Sequence, residues 1–209
     1  MSGNDWFRNK DWNEEIECRF FEKLDRARSQ RDQYLVIQAG CLTQSKPQIS
    51  LRLLDLYFKT RDDQLFDATA HLTKGLAYEK LGEFESVVNS YKDALKREEQ
   101  FPNFQTGVDL ALPYFVSTKK LQNHYSFVLE LLSSIDVNGL SFPLQKFLFH
   151  ASNALILSEL ESHERATVHA REAVNAAEIR RSGFRYHQSL GLVGKDHKRT
   201  VKRIHQLAR

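Results

Sequence analysis

The feature that most constrains this chain is a run of small and aromatic residues across positions 68–101, spaced as two interlocking antiparallel helices require. Gly75 and Tyr78 fall on a first helix, Gly82 opens a turn, and Phe84, Val87, Tyr91, Ala94 and Leu95 line a second helix. Small residues recur in such a pattern because facing helices must approach closely. Each pair of this kind leaves an apolar face that only neighbouring helices can bury.

That order of residues resembles the tetratricopeptide repeat, a helix–turn–helix unit of about 34 residues. The resemblance covers one unit. The chain departs from the pattern at His71 and Lys74, which stand where large apolar residues are usual, and at Pro102, which comes slightly later than the closing proline. The resemblance implies an all-α fold in which antiparallel helix pairs stack as a right-handed solenoid over residues 1–181. It also implies a binding surface, not a reaction centre. The groove face of the central unit would be carried by Leu72, Leu76 and Glu79. Repeat modules of this family that hold chaperone C-termini use lysine and asparagine there. An apolar pair at Leu72 and Leu76 suits a hydrophobic peptide or a partner's helix instead.

Helical periodicity extends through the rest of the chain from Trp12 onward, and no segment alternates with a period of two between turn residues. A first helix is expected to start at Asp11, with Glu14 completing a capping box, and to carry Trp12, Ile16, Phe20 and Leu24 as one stripe. A second helix covers about residues 30–42 and is broken by Ser45-Lys46-Pro47, since proline suits a first helical turn. The next helix carries Leu53, Leu54 and Tyr57, which one repeat length later become Val87, Val88 and Tyr91. Residues 104–135 read as another pair, turning at 122–124, with Phe127, Val128 and Leu131 facing inward and Pro113 kinking or starting its first helix. Pro143 begins a further helix. Ala154, Leu157, Ala166, Ala170, Ala173 and Val174 then repeat the small-residue spacing around a Glu161-Ser162 turn. Ser182-Gly183 reads as a helix stop, and beyond it only about 196–208 looks helical, with Val201, Ile204 and Ala208 on one face.

Charge is unevenly distributed. Residues 180–209 hold nine of the 30 Lys and Arg but only one of the 27 Asp and Glu, Asp196, so this end is strongly basic and the body mildly acidic. Such asymmetry implies that the end meets something negative: nucleic acid, lipid head groups, a partner protein or the acidic body itself. With 41% apolar and 27% charged residues the chain has an ordinary globular mixture and should fold. Cys18 and Cys41 lack any paired motif and read as free, buried thiols of a reducing cytoplasm. The N-terminal stretch from Met1 to Trp6 has no apolar leader core, and no run approaches the length of a membrane span.

Apparent catalytic motifs fail on spacing. Gly191-Leu192-Val193-Gly194-Lys195 has too few residues between its glycines for a phosphate loop, and Asp196 replaces the metal-holding hydroxyl. His163-Glu164 opens like a zinc-protease helix, but Thr167 occupies the second ligand position. His187-Gln188-Ser189-Leu190-Gly191 lacks the first glycine of a nucleophile elbow. The histidines are scattered, and none has metal-ligand spacing to another. No catalytic residue, metal site or cofactor is therefore expected.

The functional expectation is a non-enzymatic, cytoplasmic, bacterial-type adaptor or immunity-type regulator that binds another protein or peptide through a helical-repeat groove. Nothing in the sequence sets its oligomeric state. The alternative is a nucleic-acid-binding protein acting through the basic segment 182–209, with Lys198, Arg199, Lys202 and Arg203 as its patch. Two elements admit both a structural and a binding reading. Trp6, Phe7 and Trp12 could lid the first helices or anchor a partner, and the tail helix could cap the array or hold a ligand.

Overall fold

The computed structural model describes residues 5–209. The first four residues, part of the stretch read above as lacking a leader, lie outside them. Among the described residues the chain forms ten α-helices and no strand, the all-α class that the periodicity predicts. Among these residues no helix is long and apolar enough to cross a membrane. The chain divides into two compact units, Met1–Val108 and Asp109–Arg209, and the basic segment from residue 182 onward belongs to the second.

The first unit holds α1 (Glu14–Arg26), α2 (Arg31–Leu42), α3 (Pro47–Thr60), α4 (Asp67–Leu81) and α5 (Phe84–Gln100). The start of α1 corrects the expected cap. Asn13, with extended backbone, accepts a hydrogen bond from the Ile16 amide at 2.8 Å, whereas the Asp11 carboxylate accepts from the adjacent Trp12 amide. Asn13 lies one residue before the first helical turn, where a side-chain oxygen reaches an orphan amide; Asp11 is too far back. Pro47 opens α3 at its first turn, as its fixed φ and missing amide favour. Gly82 closes α4 at φ 77°, a left-handed geometry that glycine adopts without strain.

Helix α2 packs on α3 and α4 on α5, and α4 also lies against both α3 and α2. Phe20, Leu24, Leu35, Leu42, Leu53, Leu54 and Tyr57 form one buried core with Trp12 and Ala70. The residues ahead of α1 seal it. Trp6 packs against Phe20 and Tyr34 at ring separations of 5.5 and 4.9 Å, and the buried Gln38 side chain accepts from both the Asn9 amide and its Nδ2. The aromatic N-terminal stretch is thus a lid. Both cysteines are free thiols; Cys41 is partly buried, but Cys18 is exposed on α1, contrary to its expected burial.

A charged group is built into this unit's interior. Asp67, 3% exposed at the start of α4, accepts a hydrogen bond from the Tyr57 hydroxyl at 2.9 Å. The Arg61 and Arg97 Nε atoms stand 2.9 and 3.5 Å from its two oxygens, as ion contacts without hydrogen-bond alignment. Burial, then the Asp67 hydrogen bond, pushes the Tyr57 hydroxyl far above its usual pKa.

The second unit contains α7 (Tyr125–Ser133), α8 (Pro143–Glu159), α9 (His163–Glu178), α10 (Lys198–Leu207) and nearly all of α6 (Val108–Lys119). Helix α6 runs through Pro113 without ending. A 3-10 turn at Gln122–His124 leads directly into α7. There Val128 is buried as expected, but Phe127 is exposed and Leu132 takes the inward position, packed with Leu110 and Phe149. The inward stripe of so short a helix follows Tyr125, Val128 and Leu132 at three- and four-residue steps.

Helices α8 and α9 form the closest pair of this unit, with Ala154, Ala166, Ala170 and Ala173 buried where the small-residue spacing places them. Ser162 stands at the cap position of α9 but makes no side-chain cap bond. Helix α9 ends at Glu178, short of the expected stop at Ser182-Gly183, because the backbone is already extended at Ile179. Helix α10 returns onto α9 and α8. Its Ile204 is fully buried in the α8–α9 core, with Val201 and Ala208 packed beside it. The tail helix therefore docks by the apolar stripe that the sequence shows.

Candidate functional site

Helix α4 presents two distinct faces. Leu72, Leu76 and Glu79 recur at four- and three-residue steps and so share one face of the helix. Leu76 is 36% exposed, and Leu72 and Glu79 are partly buried. The residues that depart from the repeat pattern, His71 and Lys74, lie on a different face. With Tyr78 they line a cleft of 440 Å³ walled by Asp55 and Phe58 of α3 and by Asp93 of α5.

These polar side chains face the cleft and not the core. Lys74 Nζ is 3.0 Å from Asp55 and lies over the Phe58 ring at 5.8 Å. The His71 ring sits 4.6 Å from the Phe58 ring with Nδ1 3.9 Å from Asp93. Burial lowers the His71 pKa, against the pull of Asp93. Burial thus favours the neutral imidazole, and with Lys74 paired to Asp55 the cleft carries charges of both signs. Sequence reasoning noticed His71 and Lys74 only as exceptions, because the walls come from three helices.

At the basic end the structure sorts the expected patch. Lys198, Arg199 and Lys202 are exposed on α10, whereas Arg203 is turned inward and donates to Glu159 at 2.6 Å. Lys120 also reaches Glu159, at 2.8 Å, and its hydrogen bond is the main cause that holds the Glu159 carboxyl below its usual pKa. One cation of the patch is thus spent on the chain's own acid. Arg171 donates from Nε to the Ala208 carbonyl at 3.3 Å, capping the free end of α10. Between α9 and α10 a cleft of 260 Å³ is lined by Arg180, Lys195, Lys198, Val201 and His205, with Glu178 the single acid.

Gly191, in the Gly191–Gly194 run, has a structural duty. Gly191 has φ 69°, and a Cβ there would come within 2.1 Å of the Phe142 ring. Its carbonyl accepts from the Leu144 amide at 2.8 Å, which satisfies an orphan donor in the first turn of α8.

Tertiary structure also joins two histidines that are separate in sequence. His150 of α8 and His169 of α9 face each other with Nδ1 atoms 3.1 Å apart. Burial, and then the neighbouring His169, pushes His150 down to about 4, and burial likewise lowers His169. Among the described residues no group of three or more metal-ligating side chains gathers.

Comparison with known proteins finds no matching family, no similar curated protein and no similar solved structure.

Proposed function

We propose that this chain is a non-enzymatic adaptor of the tetratricopeptide-like class, which binds a partner protein through the first helices of its repeats. The observation that carries the reading is α4 itself. Its Gly75 side is closed against α5, whereas Leu76 is left partly open to solvent. In this reading α2–α3 and α4–α5 are successive units of a right-handed array, and the contact of α4 with both α2 and α3 is what such stacking requires. The partner lays an apolar helix or peptide on Leu72 and Leu76, with Glu79 at the rim.

The test is capture of partners from the native host with nuclease-treated controls, followed by affinity measurement on Leu76→Glu and on Asp93→Lys. Loss of affinity in Leu76→Glu alone supports the apolar face. Loss in Asp93→Lys alone moves the site to the polar cleft. Unchanged affinity in both folded variants overturns a site on α4.

A second reading is favoured by the exposed Lys198, Arg199 and Lys202 on α10. These would bind the phosphates of a nucleic acid, and affinity would then fall steeply with salt.

A further inference from the structure

The segment between α9 and α10 reads Arg180-Arg181-Ser182-Gly183-Phe184-Arg185-Tyr186-His187, an alternation of cations and aromatic rings that neither the adaptor fold nor the docking of α10 requires. Its base is hydrogen-bonded. The Ser182 amide donates to the Gln188 carbonyl at 2.8 Å, and the Ser182 hydroxyl donates to the His187 carbonyl at 2.7 Å. The His187 amide donates to the Phe184 carbonyl at 3.2 Å, folding the tip back on itself. Phe184 is stacked on Phe142, at the start of α8, with centroids 5.6 Å apart and planes 20° apart. The loop is anchored at its foot and through one ring.

The other ring points out. Tyr186 is 81% exposed, the highest value among the exposed large hydrophobic side chains. The Arg185 guanidinium lies 5.4 Å from the centre of its ring, which leaves the opposite π-face uncovered. A large planar side chain held outward by a braced loop gains nothing for folding. It is suited to a flat ligand that can stack on it, and the cations around it make that ligand anionic.

Arg180, at the foot of the loop, shares the α9–α10 cleft with Lys195 and Lys198, so the loop rises from the wall of the cationic cleft. Along α10, Lys198 and Lys202 are one helical turn, about 6 Å, apart, a separation comparable to that of neighbouring phosphates on an extended strand. We infer that this face binds single-stranded nucleic acid, with Tyr186 stacking on an unpaired base while Arg180, Arg185, Lys198 and Lys202 engage the phosphates. A duplex would keep its bases stacked on one another and could not use the ring. A lipid surface would use the charges but has no planar group to offer.

This inference rests on the nucleic-acid reading of the basic segment and adds the stacking platform to it. The test is fluorescence anisotropy of the full chain with labelled single-stranded RNA, single-stranded DNA and duplex DNA oligonucleotides across a salt series, with anionic vesicles as a separate probe. Expected results are preference for single strands over duplex, a steep loss of affinity with salt, and a weakening of about tenfold in Tyr186→Ala. A tenfold change is about 1.4 kcal/mol, the scale of one base–aromatic stack. Tyr186→Phe should bind as the wild type does, because it keeps the ring. If Tyr186→Ala binds normally while the double variant Lys198→Glu, Lys202→Glu loses binding, the platform is overturned and the basic-segment reading stands. If the wild type binds no oligonucleotide, or binds only vesicles, both are overturned.

Discussion

Gly75 of α4 and Tyr91 of α5 meet so closely that a single methyl group at position 75 would stand 2.2 Å from the tyrosine Cε1 atom. The ring is 2% exposed, and burial pushes its hydroxyl well above the usual tyrosine range, so it has no open space to swing into. Gly75→Ala should therefore destabilise the first unit by about 1–3 kcal/mol, although alanine has the better helix propensity. Tyr91→Ala should cost about 3 kcal/mol. Because the alanine methyl and the tyrosine ring would compete for one volume, the double variant should lose less than the sum of the single ones. Urea unfolding of the four proteins measures the coupling, and strict additivity would contradict it.

The buried carboxylate of Asp67 provides a second test. Asp67→Ala leaves Arg61 and Arg97 without their counter-charge and the Tyr57 hydroxyl without its acceptor. A loss of about 3–5 kcal/mol is expected, the usual cost of breaking one side of a buried ion pair. Tyr57→Phe removes only the hydroxyl and should cost about 1 kcal/mol. Equal losses in the two variants would mean that the arginines find solvent instead.

Helix α10 is expected to contribute to stability through its apolar face and to binding through its charges. Ile204→Ala should lower stability by about 2–4 kcal/mol, as truncation of a fully buried aliphatic side chain does. Lys198→Glu with Lys202→Glu, both exposed, should leave the melting temperature nearly unchanged while slowing association with an anionic partner. Arg203→Glu is different, because it sets a carboxylate against Glu159, and it should destabilise the fold. Thermal melts of the three proteins separate these roles.

The paired histidines set a pH dependence. In the folded chain His150 and His169 hold their protons more weakly than in the unfolded chain, His150 to about 4. Between that value and the ordinary histidine pKa of about 6.5, the unfolded state binds more protons, so stability falls as pH is lowered through this window. The groups facing the pair include Lys146 and Arg165, which add to the effect, and Glu172, which opposes it. The variant His150→Gln, His169→Gln should show a flatter stability profile between pH 7 and pH 4 than the wild type. An unchanged slope would assign the acid sensitivity to other groups.

Much of the local architecture was legible in the sequence because it depends on near neighbours. Helical periodicity, the prolines that open α3 and α8, the left-handed Gly82 and the apolar stripe of α10 are all set by steps of a few residues. Two details came out differently: Asn13 and not Asp11 caps α1, and on α7 Phe127, expected to face inward, is exposed while Leu132 is buried.

What only the tertiary structure decided involves partners distant along the chain. The sequence placed Gly75 and Tyr91 on facing helices, but the contact of glycine with ring depends on the packing of α4 on α5. It offered Lys198, Arg199, Lys202 and Arg203 as one patch, yet Glu159, on α8, removes Arg203 from it. It treated His150 and His169 as unrelated and His71 and Lys74 as exceptions, whereas folding joins the first two and lines a cleft with the others. The physical reason is the same in each case. Helix formation answers to spacing within a turn, but a binding face is made by side chains that meet only after helices pack, and pairing, exposure and pKa are set by that meeting.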